Sequence, residues 1–142
     1  MVVRTPARRA AAGFTLLELL VVIVIIGLLA SYVGPRYFAQ LGKSEAAAAR
    51  AQIEGLRKAL DSFRLDMGRY PTTDEGLAAL NSAPADGRER WAGPYLSKAA
   101  PPDPWTRPYL YRSPGERSDY ELMSLGKDGK PGGQGENADL GG

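Results

Sequence analysis

Apolar residues run from Phe14 to Val33 with a single charge, Glu18, among them. At about 1.5 Å per residue, a helix of about 20 residues spans about 30 Å, the hydrocarbon thickness of a membrane. A core helix of a small domain would keep a polar face, and this run has almost none. The pattern therefore predicts a membrane-spanning helix. Gly34-Pro35 interrupts it, because Pro removes a backbone hydrogen bond and disfavours helix in the residue before it. Strong helix formers resume at once in YFAQLGKSEAAAARAQIEGLRKALDSFRLD, so the expectation is a kink or flexible joint and not an end.

Beyond the joint the pattern changes from apolar on all sides to striped. Ala49, Ile53, Leu56, Leu60, Phe63 and Met67 recur at spacings of four and three, which places them on one helix face suited to a core. Arg50–Glu54 and Arg57–Asp61 sit four apart and predict exposed ion pairs. A helix from Phe14 to about Asp66 would be roughly 80 Å long. After Met67-Gly68 the elements shorten. Thr72-x-x-Glu75 is a capping-box pattern opening a short helix through Leu77 and Leu80. A Pro-rich loop follows, for which Trp91, Tyr95 and Trp105 serve better as packing than as a ligand platform. Alternation in Arg107–Arg112 and Ser118–Leu125, separated by Ser113-Pro114-Gly115, predicts a hairpin. One striped helix and a small antiparallel sheet make an α+β domain.

Composition narrows the chemistry. The chain of 142 residues has no Cys and no His, which removes disulfides, thiol catalysis, thiolate metal sites and the commonest general base. An enzyme is therefore disfavoured. The formal net charge is +2, but Arg4, Arg8 and Arg9 precede the apolar run. Without them the 18 basic residues become 15 against 16 acidic ones, so charge gives no support for a nucleic-acid partner. Arg36, Lys43 and Arg50 on the other flank nearly balance the positive-inside count, so charge does not orient the helix. The tail SLGKDGKPGGQGENADLGG reads as disordered by composition. It also holds calcium-type oxygen donors in Asp128, Glu136, Asn137 and Asp139, although Lys130 and Gly132 break the EF-hand spacing.

The stretch GFTLLE, Gly13 to Glu18, resembles the processing signal of type IV pilins and pseudopilins. The resemblance implies cleavage by a prepilin peptidase between Gly13 and Phe14, N-methylation of Phe14, and retention of the helix as membrane anchor and later filament core. Residues 1–13 would be a leader, 14–34 the transmembrane and filament-core helix, and 35–142 a periplasmic domain. Glu18 becomes the family's acidic position. Cleavage creates a cationic amine one turn away, and the helix dipole also favours an anion there. With staggered subunits, Glu18 would meet the Phe14 amine of a neighbour and set its register.

Further along, RYPTTDEGLAAL, WAGPYL, DPWTRPYLY and SLGKDG resemble the major pseudopilins of type II secretion systems across nearly all of the mature chain. This implies a pilin-like fold, and a helical homo-oligomer at the inner membrane that drives folded proteins across the outer membrane. It further implies minor pseudopilins and an inner-membrane secretion platform as partners. A structural calcium ion is implied in the C-terminal loop, with the Leu125 carbonyl, the Asp128 and Asp139 carboxylates and Asn137 as ligands. Pro35 is implicated in assembly through the joint. Rival readings are a type IV pilin for adhesion, motility or DNA uptake, many of which carry a C-terminal disulfide that this chain cannot form, and a membrane-anchored binding module that never polymerises.

Overall fold

The computed structural model describes residues 13–142. The expected leader, apart from Gly13, and its Arg4, Arg8 and Arg9 lie outside the described residues. Helix α1 runs from Leu16 to Met67, 52 residues, with Pro35 inside it. Three short strands follow, β1 (Leu110–Arg112), β2 (Glu121–Ser124) and β3 (Leu140–Gly141), with 3-10 segments at Gly76–Leu80, Arg88–Arg90 and Gly135–Asn137. The described residues divide into two compact units, the first ending at Ala39 and the second Gln40–Gly142, and α1 contributes to both.

In the first unit every large apolar side chain from Phe14 to Phe38 is exposed, Leu16 at 82% and Ile23 at 68% among them. Each such side chain gains about 1.5–3 kcal/mol on burial, so the sum is on the order of tens of kcal/mol. A surface of that kind needs lipid or protein around it. The chain remains helical through Pro35. Proline still costs a hydrogen bond, because it has no N–H to donate to the carbonyl of Ser31.

The second unit is built on the stripe. Ala49, Ile53, Leu56, Leu60, Phe63 and Met67 are all buried, and they share a core with Leu80, Tyr109, Leu122 and Leu140. The sheet is antiparallel with order β1-β2-β3. Tyr111 lies opposite Leu122, and Ser124 opposite Leu140. Trp91 and Tyr95 serve packing, as expected: Trp91 Nε1 donates to the Ala79 carbonyl (3.0 Å), and the Tyr95 ring meets Phe63 edge-on at 5.7 Å.

Several expectations are corrected. The hairpin strands are shorter than the alternating runs, because Pro108 cannot donate to a ladder and the Arg107 side chain bonds to the loop after β2. The Thr72–Glu75 box forms, with Thr72 N donating to Glu75 Oε2 (2.8 Å) and Glu75 N to Thr72 Oγ1 (3.3 Å). It opens a turn and a 3-10 segment, however, and not an α-helix. Arg57 pairs with Glu54 at 3.3 Å and not with Asp61, which accepts from the Tyr70 hydroxyl at 2.9 Å. No Arg50–Glu54 pair forms among the described residues. The tail, disordered by composition, is folded: Leu140 is buried and pairs with β2.

Candidate functional site

Two places gather the residues singled out from the sequence. At the N-terminal end, Gly13, Phe14 and Thr15 are exposed and precede the helix. The Gly13–Phe14 bond therefore lies in backbone free of helical hydrogen bonding, which is what a peptidase requires. Thr15 and Glu18 form a reciprocal capping box. Glu18 N donates to Thr15 Oγ1 (3.2 Å) and Thr15 N donates to Glu18 Oε2 (3.4 Å). Two of the backbone donors that a helix start leaves without partners are satisfied in this way. Thr15 was missed in the sequence, although TLLE carries the same S/T-x-x-E signal that identified Thr72–Glu75. Glu18 thus has a local role beside any role between subunits.

The second place is the loop from Leu125 to Asp139. It is closed by short contacts between its two arms. Lys127 N donates to the Glu136 carbonyl at 2.9 Å, and the Lys127 ammonium pairs with Glu136 Oε2 at 2.7 Å. That bond to Glu136 raises the Lys127 pKa. Gly126 has a φ of 64°, and a Cβ there would stand 2.7 Å from the Ala138 carbonyl. Only glycine permits both that conformation and that approach.

The loop is anchored from outside by Arg107, whose guanidinium donates to the carbonyls of Gly126 (2.6 Å) and Lys127 (2.8 Å). Arg107 is itself positioned by Asp103, a buried carboxylate, 3% exposed. Asp103 accepts from the backbone N–H of Trp105 and Arg107 and from Ser124 Oγ. A buried carboxylate is tolerable only with such a full set of donors. Trp105 Nε1 donates to Glu45 of α1 at 3.0 Å. The Asp103 turn is local, since Trp105 and Arg107 lie two and four residues on. The Ser124 donor to Asp103 and the carbonyl partners of the Arg107 side chain, however, lie 19 to 21 residues away and leave no local pattern.

The four expected calcium ligands sit unequally in this loop. Asp128 Oδ1 accepts from Lys130 N (3.1 Å), and Asp139 Oδ2 accepts from Gly132 N (2.8 Å). Each carboxylate keeps a second oxygen without such a bond among the described residues. Leu125 is half-buried, and Asn137 is exposed with its backbone packed against Gly126 and Gly133. Glu136 is engaged by Lys127. No group of three or more His, Cys, Asp or Glu side chains converges among the described residues. The donors on offer are two carboxylates and carbonyls, the hard oxygen set that calcium accepts. An ion here would lean on backbone carbonyls and water for the rest of its shell.

Comparison with known proteins covers both regions. Residues 36–142 match the family described as type II secretion system (T2SS), protein G, and residues 8–33 match the prokaryotic N-terminal methylation motif. The chain is 44% identical to the type II secretion system core protein G of Vibrio cholerae serotype O1, over 94% of this chain and 92% of the relative. It is 40% identical to the protein of that name from Pseudomonas aeruginosa, over 94% and 96%. Among solved structures it resembles the major pseudopilin of the type 2 secretion system of enterohaemorrhagic Escherichia coli. The TM-score is 0.59 at 34% identity, over 73% of this chain and 90% of that one. Long helix, three-stranded sheet and sequence thus lead to one conclusion: the chain belongs to the type II secretion system protein G family.

Proposed function

We propose that this protein is the major pseudopilin of a type II secretion system, made with a leader that is removed between Gly13 and Phe14. The new amine on Phe14 is then methylated. The observation that carries the proposal is the division of α1. Its N-terminal part exposes every large apolar side chain, while its C-terminal part buries one stripe in a folded domain. A helix of that kind is held first by the inner membrane, with the folded domain in the periplasm. In the pseudopilus it is held by copies of itself. Growth of the filament then moves folded proteins toward the outer membrane, with minor pseudopilins and the inner-membrane platform as partners. The family relationship supports this reading over that of a surface pilin.

Glu18 supplies the register. An unpaired carboxylate within the hydrocarbon is costly, with roughly 2.5–3.5 kcal/mol at the bilayer centre as the upper bound for a residue as near the end of the span as Glu18. The Phe14 amine of a neighbour relieves that cost in a medium of low dielectric. Gly34 and Pro35 form the joint that adjusts as a subunit leaves lipid for the filament. A calcium ion held by the Leu125 carbonyl, Asp128, Asp139 and Asn137 ties the tail to the sheet, a structural use of binding energy. Electron microscopy of the overproduced protein tests the assignment. Pilus-like fibres are expected, with their loss and unchanged membrane insertion in Glu18→Ala. Fibres formed normally by Glu18→Ala would sink the register role, and no fibres from the processed wild type would sink the filament reading.

A further inference from the structure

The end of the apolar span carries a second pattern that the filament reading does not use. Tyr32, Tyr37 and Phe38 are 63%, 63% and 70% exposed. Tyr37 and Phe38 meet edge-on at 6.1 Å, but the three rings do not form one stripe. At about 100° per residue, Tyr37 and Phe38 lie about 140° and 240° around the axis from Tyr32. They occupy one level of the helix, within about 9 Å along it at 1.5 Å per residue. A contact with one partner helix would call for a stripe, whereas rings spread around the circumference at one level suit a planar boundary.

Two further observations point to the same boundary. Arg36 lies at this level with its guanidinium 4.7 Å from the Tyr32 ring centre, and no carboxylate pairs with it among the described residues. No acidic residue occurs between Glu18 and Glu45, so the local field favours anions. Pro35 also leaves the Ser31 carbonyl without its helical donor, a loss that water or a headgroup can repair and hydrocarbon cannot.

We propose that Tyr32, Arg36, Tyr37 and Phe38 form an interfacial collar, seated in the phospholipid headgroup layer, that sets the depth of α1 in the membrane before assembly. The occupant is lipid: rings at the boundary between chains and headgroups, with the Arg36 guanidinium on lipid phosphate. The proposal rests on the membrane-anchor reading above.

The absence of native cysteine makes the test direct. Single cysteines are placed at positions between Leu28 and Gln40, outside the collar, in the full chain reconstituted in phosphatidylethanolamine–phosphatidylglycerol vesicles. They are then reacted with a water-soluble maleimide present on both faces. Labelling is expected to rise sharply between Val33 and Ala39. In the Tyr32→Ala/Tyr37→Ala/Phe38→Ala background the rise should move by about one turn, roughly 3.6 residues. Arg36→Gln should broaden it, and wild type should show the same broadening in vesicles of uncharged glycolipid that lacks phosphate. An unmoved rise in a triple variant that still resists alkaline extraction overturns the collar while leaving the anchor reading intact. Alkaline extraction of the wild type overturns both. A triple variant with an unmoved rise but no filaments assigns the rings to a second copy and also overturns the collar.

Discussion

The Glu136 side chain rests on the bare backbone of Gly42, where an added Cβ would collide with its carboxylate. Gly42 is buried although it lies in a helix, and Glu136 turns its other oxygen to Lys127. The missing methyl on α1 is what seats the Gly135–Asn137 turn of the tail.

That contact predicts non-additivity. Gly42→Ala alone raises helix propensity but must displace Glu136 and break its pair with Lys127. In a Glu136→Ala background the same substitution should stabilise by about 0.5–1 kcal/mol, the propensity gain of Ala over Gly. Urea unfolding of the four proteins of this cycle measures the coupling. Simple additivity would show that the contact carries no energy.

Thr15 separates the two roles of Glu18. Thr15→Ala removes the cap, at a cost of about 1 kcal/mol to the helix start, but leaves the carboxylate in place. Filament yield by electron microscopy should be retained by Thr15→Ala and lost by Glu18→Ala. Equal loss in both would make capping, not pairing between subunits, the function of Glu18.

Calcium should stabilise the folded domain by mass action, about 2.7 kcal/mol at roughly a hundred times its Kd. Calorimetry with and without a chelator should show a fall in Tm for wild type and none for Asp128→Ala/Asp139→Ala. A wild-type Tm indifferent to chelation rules the ion out.

The acid and alkaline limbs of stability have identifiable groups. Arg69 donates twice to Glu75, at 2.7 and 2.8 Å, which lowers the Glu75 pKa. A depressed carboxylate stabilises the fold at neutral pH, and that contribution is lost as pH falls from the ordinary carboxylate range through the folded pKa. Burial pushes Tyr109 and Tyr111 up to about 12, so stability falls as pH rises from about 10, where the unfolded phenols ionise. Unfolding free energies across pH should show a weaker acid slope in Glu75→Gln and a weaker alkaline slope in Tyr111→Phe. Unchanged slopes would contradict these assignments.

The Gly34–Pro35 joint is tested by Gly34→Ala/Pro35→Ala, which restores the donor to the Ser31 carbonyl and raises helix propensity. The variant should insert normally and assemble poorly in a filament-formation assay. Filaments at the wild-type level would remove the joint from the assembly mechanism.

Sequence alone determined whatever depends on near neighbours. Apolar residues on all sides marked the exposed span, the stripe from Ala49 to Met67 marked the core face, and T-x-x-E marked one of the two capping boxes among the described residues. Such patterns are legible because helix geometry ties residues three and four apart to one face. Tertiary structure decided the rest. Leu140 became a strand residue only because Ser124 lies opposite it, and Asp103, whose turn is closed locally by the Trp105 and Arg107 N–H groups, gained its third donor only because Ser124 reaches it. Glu136 was directed to Lys127 and Gly42, and Asp61 to Tyr70 instead of Arg57. These outcomes depend on which distant groups arrive at hydrogen-bonding distance once the chain has packed. In a Gly-rich tail with few apolar residues, no local period records that arrival.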